Sequence, residues 1–139
     1  MSTTIRPELS VNNKYWIEKH RYYELKHFCL QYPIWRRIYN NLDSMSHNHW
    51  DLAGPSKTNK ISNPVERCVE MGMYFSDRME LVERTAKETD PDLYEYLLSA
   101  VTNGVSYDCM RARADIPCCK DTYYDLYRRF FWMLDKSRK

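Results

Sequence analysis

An all-α fold is predicted by three observations. The 139 residues contain only three glycines and six prolines, too few to supply the turns of a β architecture. Apolar residues recur at spacings of three, four and seven, the period of amphipathic helices. Tyr, Trp and Phe make up 14 % of the chain, which with so few turn residues favours helices, and 139 residues suffice for one compact domain or a small domain with an extension. The expected architecture is an N-terminal helical hairpin or arm over residues 1–46, a loop or linker over 47–62, and a long middle helix followed by a C-terminal three-helix helix-turn-helix unit within 63–139.

From about residue 12, Tyr15, Tyr22, Leu25, Cys29 and Tyr32 form one helical stripe, which Trp16, Tyr23 and Phe28 widen. Pro33 cannot donate into a helix interior and pushes Tyr32 away from the α region, so the helix should kink or restart there. Ile34, Trp35, Ile38 and Leu42 then share a face. This aromatic arm is expected to pack against the middle helix or to meet a second subunit or a polymerase. The stretch HNHWDLAGPSKTNKIS, with Gly54-Pro55 and no period, reads as the linker.

Asn63-Pro64-Val65-Glu66 combines a cap residue, a proline at the first helical position and an acid at the third, a start signal for the middle helix. Val65, Cys68, Val69, Gly72, Met73, Phe75, Met79, Val82 and Ala86 carry its stripe to about Lys87. A helix of that length suits a core or a dimer interface. Asp90-Pro91 repeats the start signal, Leu93, Leu97, Ala100 and Val101 form the next stripe, and Gly104 ends it. Two more helices are expected at about 106–116 and 119–137.

Such a pair closes as a helix-turn-helix when the first helix buries small residues against the second and the turn buries one apolar group. Cys109, Ala112 and Ile116 are the candidates for the first, and Cys118 for the second. Cys119 takes the cap position of the last helix, where serine or threonine is usual. Tyr123, Leu126, Tyr127, Phe130 and Leu134 should face inward, leaving Lys120, Asp121, Thr122, Tyr124, Asp125 and Arg128 outside.

Net charge is only +2, but the charge is uneven. From Gly104 onward, Arg111, Arg113, Lys120, Arg128, Arg129, Lys136, Arg138 and Lys139 outnumber Asp108, Asp115, Asp121, Asp125 and Asp135. Double-stranded DNA is therefore the expected partner. If the last helix lies in a major groove, Lys120, Asp121, Thr122, Tyr124 and Arg128 reach bases or the groove, with Arg129, Arg111 and Arg113 on phosphates. Lys136, Arg138 and Lys139 would add a tail contribution. Asp121 and Asp125 repel phosphate unless each meets a base amine or an arginine.

Other function classes find little footing. No apolar run approaches the roughly 20 residues of a membrane span, and MSTTIRPELS lacks a signal-peptide core, so a cytoplasmic protein without membrane contact is expected. Five cysteines without framework spacing read as reduced thiols. His47 and His49 with Cys118 and Cys119 lack the paired spacing of structural zinc sites, so no metal is expected. His20, His27, His47 and His49 have no nucleophile motif beside them and no phosphate loop exists, so neither an enzyme nor a cofactor is expected.

The Tyr32-Pro33 break, the GPSKTNK loop, the long middle helix and the IPCCKDTYY turn, in that order, resemble the small phage transcriptional activators of the RinA and ArpU type. Their C-terminal part is similar to the promoter-reading helix-turn-helix of sigma factors. The resemblance extends from about residue 20 onward and implies an activator of phage or prophage late genes that contacts RNA polymerase. It places the start of the recognition helix on Cys119, Lys120, Asp121 and Thr122, and buried positions of the preceding helix on Cys109, Ala112 and Ile116. Arg113 and Pro117 depart from the small residue and turn glycine of that pattern. Paired half-sites would imply a homodimer or higher oligomer. The alternatives are a small terminase subunit binding packaging DNA and a phage inhibitor that occupies a host factor.

Overall fold

The protein is all-helical, as the sequence predicts. The structure, a computed structural model, describes residues 14–52 and 64–138. Among them lie six helices: α1 Lys19–Leu30, α2 Tyr32–Leu52, α3 Pro64–Thr89, α4 Tyr94–Asn103, α5 Tyr107–Ala114 and α6 Lys120–Ser137. No helix among the described residues is long and apolar enough to cross a membrane.

Local chemistry sets the boundaries. Glu18 opens α1 by accepting the backbone N–H groups of His20 at 2.9 Å and Arg21 at 3.1 Å, satisfying donors that a helix start leaves free. Pro33 restarts the chain as expected: Gln31 is the one-residue joint, and its carbonyl accepts from Ile34 at 2.9 Å and Trp35 at 3.0 Å. In the first turn of α2 the missing proline N–H costs nothing.

The linker expected from residue 47 begins later, because α2 continues to Leu52. Nothing in residues 47–52 breaks a helix, and Gly54-Pro55 lies beyond. The rest of that loop and the Asn63 cap fall outside the described residues. Asp90-Pro91 builds a turn rather than a helix start: Asp90 Oδ1 accepts from Asp92 at 2.9 Å and Leu93 at 3.0 Å, and α4 begins only at Tyr94. Gly104 ends α4 in the left-handed region at φ 67°, where glycine has no Cβ penalty.

The core joins both ends of the chain. Tyr22, Leu25, Phe28 and Cys29 of α1 and Trp35 of α2 pack with Val82 and Ala86 of α3, Leu97 and Val101 of α4, and Tyr127, Phe130, Phe131 and Leu134 of α6. The aromatic arm is thus core. Rings meet edge to face, Tyr22 on Phe131 at 5.2 Å and Phe28 on Trp35 at 4.9 Å, the arrangement that aromatic quadrupoles favour. At the rim Arg21 Nε donates to Asp135 at 2.7 Å, and Arg138 Nη1 donates to Glu24 at 2.8 Å. These bonds hold the end of α6 to α1, so Arg138 is a structural cation.

Only the second half of α3 enters this core. Val82 and Ala86 are fully buried, whereas Val65, Val69 and Met73 of the expected stripe are exposed, Met73 at 60 %. The first half of α3 lies beside α2, close enough that a Cβ on Gly72 would stand 3.7 Å from Leu42 Cδ1. Two helices alone cover only one side of each stripe.

Candidate nucleic-acid interface

A second, smaller cluster holds α5 and the start of α6. It consists of Ala100, Tyr107, Met110, Ile116 and Tyr123. Ser106 caps α5 by accepting from the Cys109 N–H at 3.3 Å, which turns Tyr107 and Met110 inward. The expectation that Cys109 and Ala112 are the buried positions of this helix is corrected: both are exposed. The face is offset because the larger Tyr107 ring packs against Tyr123, with ring centroids 5.3 Å apart, and turns Cys109 and Ala112 away from the cluster. Ile116 is buried as expected, and Cys118 is half-buried.

Tyr107 also clasps the turn. Its hydroxyl donates to the Cys118 carbonyl at 2.7 Å and accepts from Arg111 Nη1 at 3.3 Å. The Tyr123 hydroxyl donates to the Val105 carbonyl at 3.3 Å. Arg111 is therefore brought to the turn that leads into α6. Arg113 is exposed on the last turn of α5.

Cys119 sits in extended geometry ahead of α6 without closing a side-chain cap bond to the backbone. Its Sγ lies 3.1 Å from Thr122 Oγ1. That hydroxyl, with the backbone amides of the first turn, holds the Cys119 thiol below its ordinary pKa, while burial pushes Cys118 up. The positive end of a helix favours thiolate in the same direction.

On α6, Tyr123, Tyr127, Phe130 and Leu134 are buried as expected, and Leu126 is half-buried. Phe131 is also fully buried. Sequence reasoning left it out because the drawn stripe was one residue too narrow. Lys120, Asp121, Thr122, Asp125 and Arg129 are exposed, and Lys120 Nζ stands 5.7 Å from the Tyr124 ring centroid.

Asp121, Thr122, Tyr124, Asp125 and Arg128 line one shallow depression. Four of the expected contact residues, Asp121, Thr122, Tyr124 and Arg128, are thus brought together beside Asp125, while Lys120, Arg111, Arg113 and Arg129 lie outside the set. Arg128 is partly withdrawn, with 21 % of its side chain exposed and Nη1 3.9 Å from Asp125 Oδ1. Its Nε is buried and has no hydrogen-bond partner among the described residues. Buried donors are nearly always satisfied, and this nitrogen, closed off from solvent, is an exception within a guanidinium whose residue lines the depression. Tyr107 was missed because a tyrosine at the start of a short helix carries no sequence signal for a clasp.

No protein-family model matches the chain, and no curated protein or solved structure matches it.

Proposed function

We propose that the protein is a sequence-specific activator of phage or prophage late genes. In this reading α5, the turn and α6 act as a helix-turn-helix on double-stranded DNA, and another surface contacts RNA polymerase. The observation that carries it is the depression on α6 that gathers Asp121, Thr122, Tyr124 and Arg128 at the exposed start of the helix. The Arg128 guanidinium, whose Nη1 stands 3.9 Å from Asp125 Oδ1, carries the forked donors that fit a base edge or a phosphate oxygen. The Tyr107 clasp supports the reading because it ties α5 to the turn that leads into α6, as a helix-turn-helix requires. The order of elements and the IPCCKDTYY turn add the phage-activator resemblance.

Lys120, Asp121, Thr122, Tyr124 and Arg128 would face bases or the groove, with Arg129, Arg111 and Arg113 on phosphates. Arg128→Ala is expected to cost about 1–3 kcal/mol on the preferred site and to relax its sequence preference. Arg129→Ala should weaken all duplexes alike. Gel shifts on a selected site and on a scrambled duplex measure both, and unchanged affinity in both variants contradicts the assignment.

One observation favours a second reading. Asp121 and Asp125 share the depression with Arg128, and such an acidic rim also suits an inhibitor that occupies a host nucleic-acid-binding protein. That reading expects no duplex binding by the wild type.

A further inference from the structure

The depression on α6 carries two carboxylates, but a larger groove elsewhere is lined by none. It lies between the first half of α2 and the second half of α4 and has a volume of about 480 Å³. Arg36, Arg37, Asn40 and Asn41 form its α2 wall, and Ser99 and Asn103 stand on the α4 wall. On α2 each guanidinium is followed four residues later by an amide, so that two parallel rows of donors run along one helix face. Arg36 and Arg37 are exposed, and neither is held in an ion pair among the described residues. Glu83, the carboxylate that reaches Tyr32 at the edge of this groove, accepts the Tyr32 hydroxyl.

Every charge lining the groove is therefore positive, and the rest of its polar lining is amide and hydroxyl. Guanidinium forks flanked by amide donors match the oxygens of a phosphodiester, which is recognised by such groups without regard to base identity. Compared with the α6 depression, the groove has twice the arginines and no opposing acid. We propose that the α2–α4 groove binds the phosphodiester backbone of duplex DNA and supplies sequence-independent affinity in addition to that of the α5–α6 surface, where aspartates stand among the cations. The inference takes from the preceding reading only that duplex DNA is the ligand.

The test is fluorescence anisotropy of the full chain with a labelled random-sequence duplex across a salt titration. For Arg36→Gln/Arg37→Gln the expectation is roughly a ten-fold loss of affinity near physiological salt. The slope of log affinity against log salt should fall by about 2, one unit for each lost phosphate contact. Asn41→Asp, which leaves both arginines in place, should also weaken binding. Any preference of the wild type for a selected site over a random duplex should persist in the arginine variant.

If Arg36 and Arg37 instead only complement the C-terminal dipole of α4, the variants melt earlier but bind with unchanged affinity and salt slope, which overturns the proposal. Failure of the wild type to bind duplex DNA, or displacement of DNA by polyglutamate as readily as by unlabelled duplex, also overturns it. A wild type that binds all duplexes equally, yet loses affinity in the arginine variant, leaves the groove standing and removes the sequence-specific reading.

Discussion

The hydroxyl of Tyr107 stands where α5 meets the turn, donating to Cys118 and receiving Arg111. Tyr107→Phe keeps the ring on Tyr123 and removes both bonds, so it should cost about 1 kcal/mol of stability and free Arg111 from the turn. Urea unfolding of the two proteins measures the cost, and equal midpoints mean that the ring contacts alone hold the joint. This residue also marks how far the sequence can be read locally. Cys109 and Ala112 looked buried because small residues at a spacing of three fit a close helix crossing, but each has little apolar area to gain from burial. The larger gain from seating an aromatic ring turned the helix to the adjacent face. At Tyr123, Tyr127, Phe130 and Leu134, where each position is large and the period is sustained, no such ambiguity exists.

At the scale of elements, α2 and α3 are fastened where Tyr32 donates to Glu83. Burial first, and then this carboxylate, pushes the Tyr32 phenol up to about 12 from an ordinary 10.0. A raised value favours the neutral phenol in the folded chain, so its contribution is complete below about pH 10 and is lost as pH rises toward about 12. Wild type should therefore lose stability relative to Tyr32→Phe across that window, as followed by thermal melts at stepped alkaline pH. A constant difference between the two would show that the phenol is not held this way. Element ends were legible where a side chain or ring constraint dictates them, as at Pro33, Pro64 and Gly104. The end of α2 was not, because residues 47–52 lack an apolar period yet contain no glycine or proline that would stop a helix. Asp90-Pro91 was misleading for a related reason: the same aspartate that caps a helix also closes a turn onto its own following amides.

For the molecule as a whole, one core built by α1, α2, α3, α4 and α6 leaves no helix of that group to fold by itself. Unfolding followed by helical ellipticity and by tryptophan fluorescence should therefore coincide. Phe131→Ala empties the middle of this core, where the ring meets Tyr22, Tyr127 and Phe130, and should cost about 3–5 kcal/mol. A loss below about 1 kcal/mol in denaturant titration would contradict that placement. The sequence revealed the helical class through its period and its scarcity of glycine, but not the joining of the aromatic arm to α6, since contacts between residues a hundred positions apart leave no local pattern. The charge count likewise pointed to the C-terminal region. It missed the α2–α4 groove, whose arginines are only two and gain their setting from a helix 60 residues away. In the proposed function the exposed start of α6 reads DNA sequence. The most direct test of this reading is selection of duplexes from a random pool by the full chain, followed by the ratio of affinities for the selected site and for unselected DNA. A ratio of at least about 10³ at physiological salt is expected of a specific reader; a ratio near one, or no enrichment at all, contradicts it.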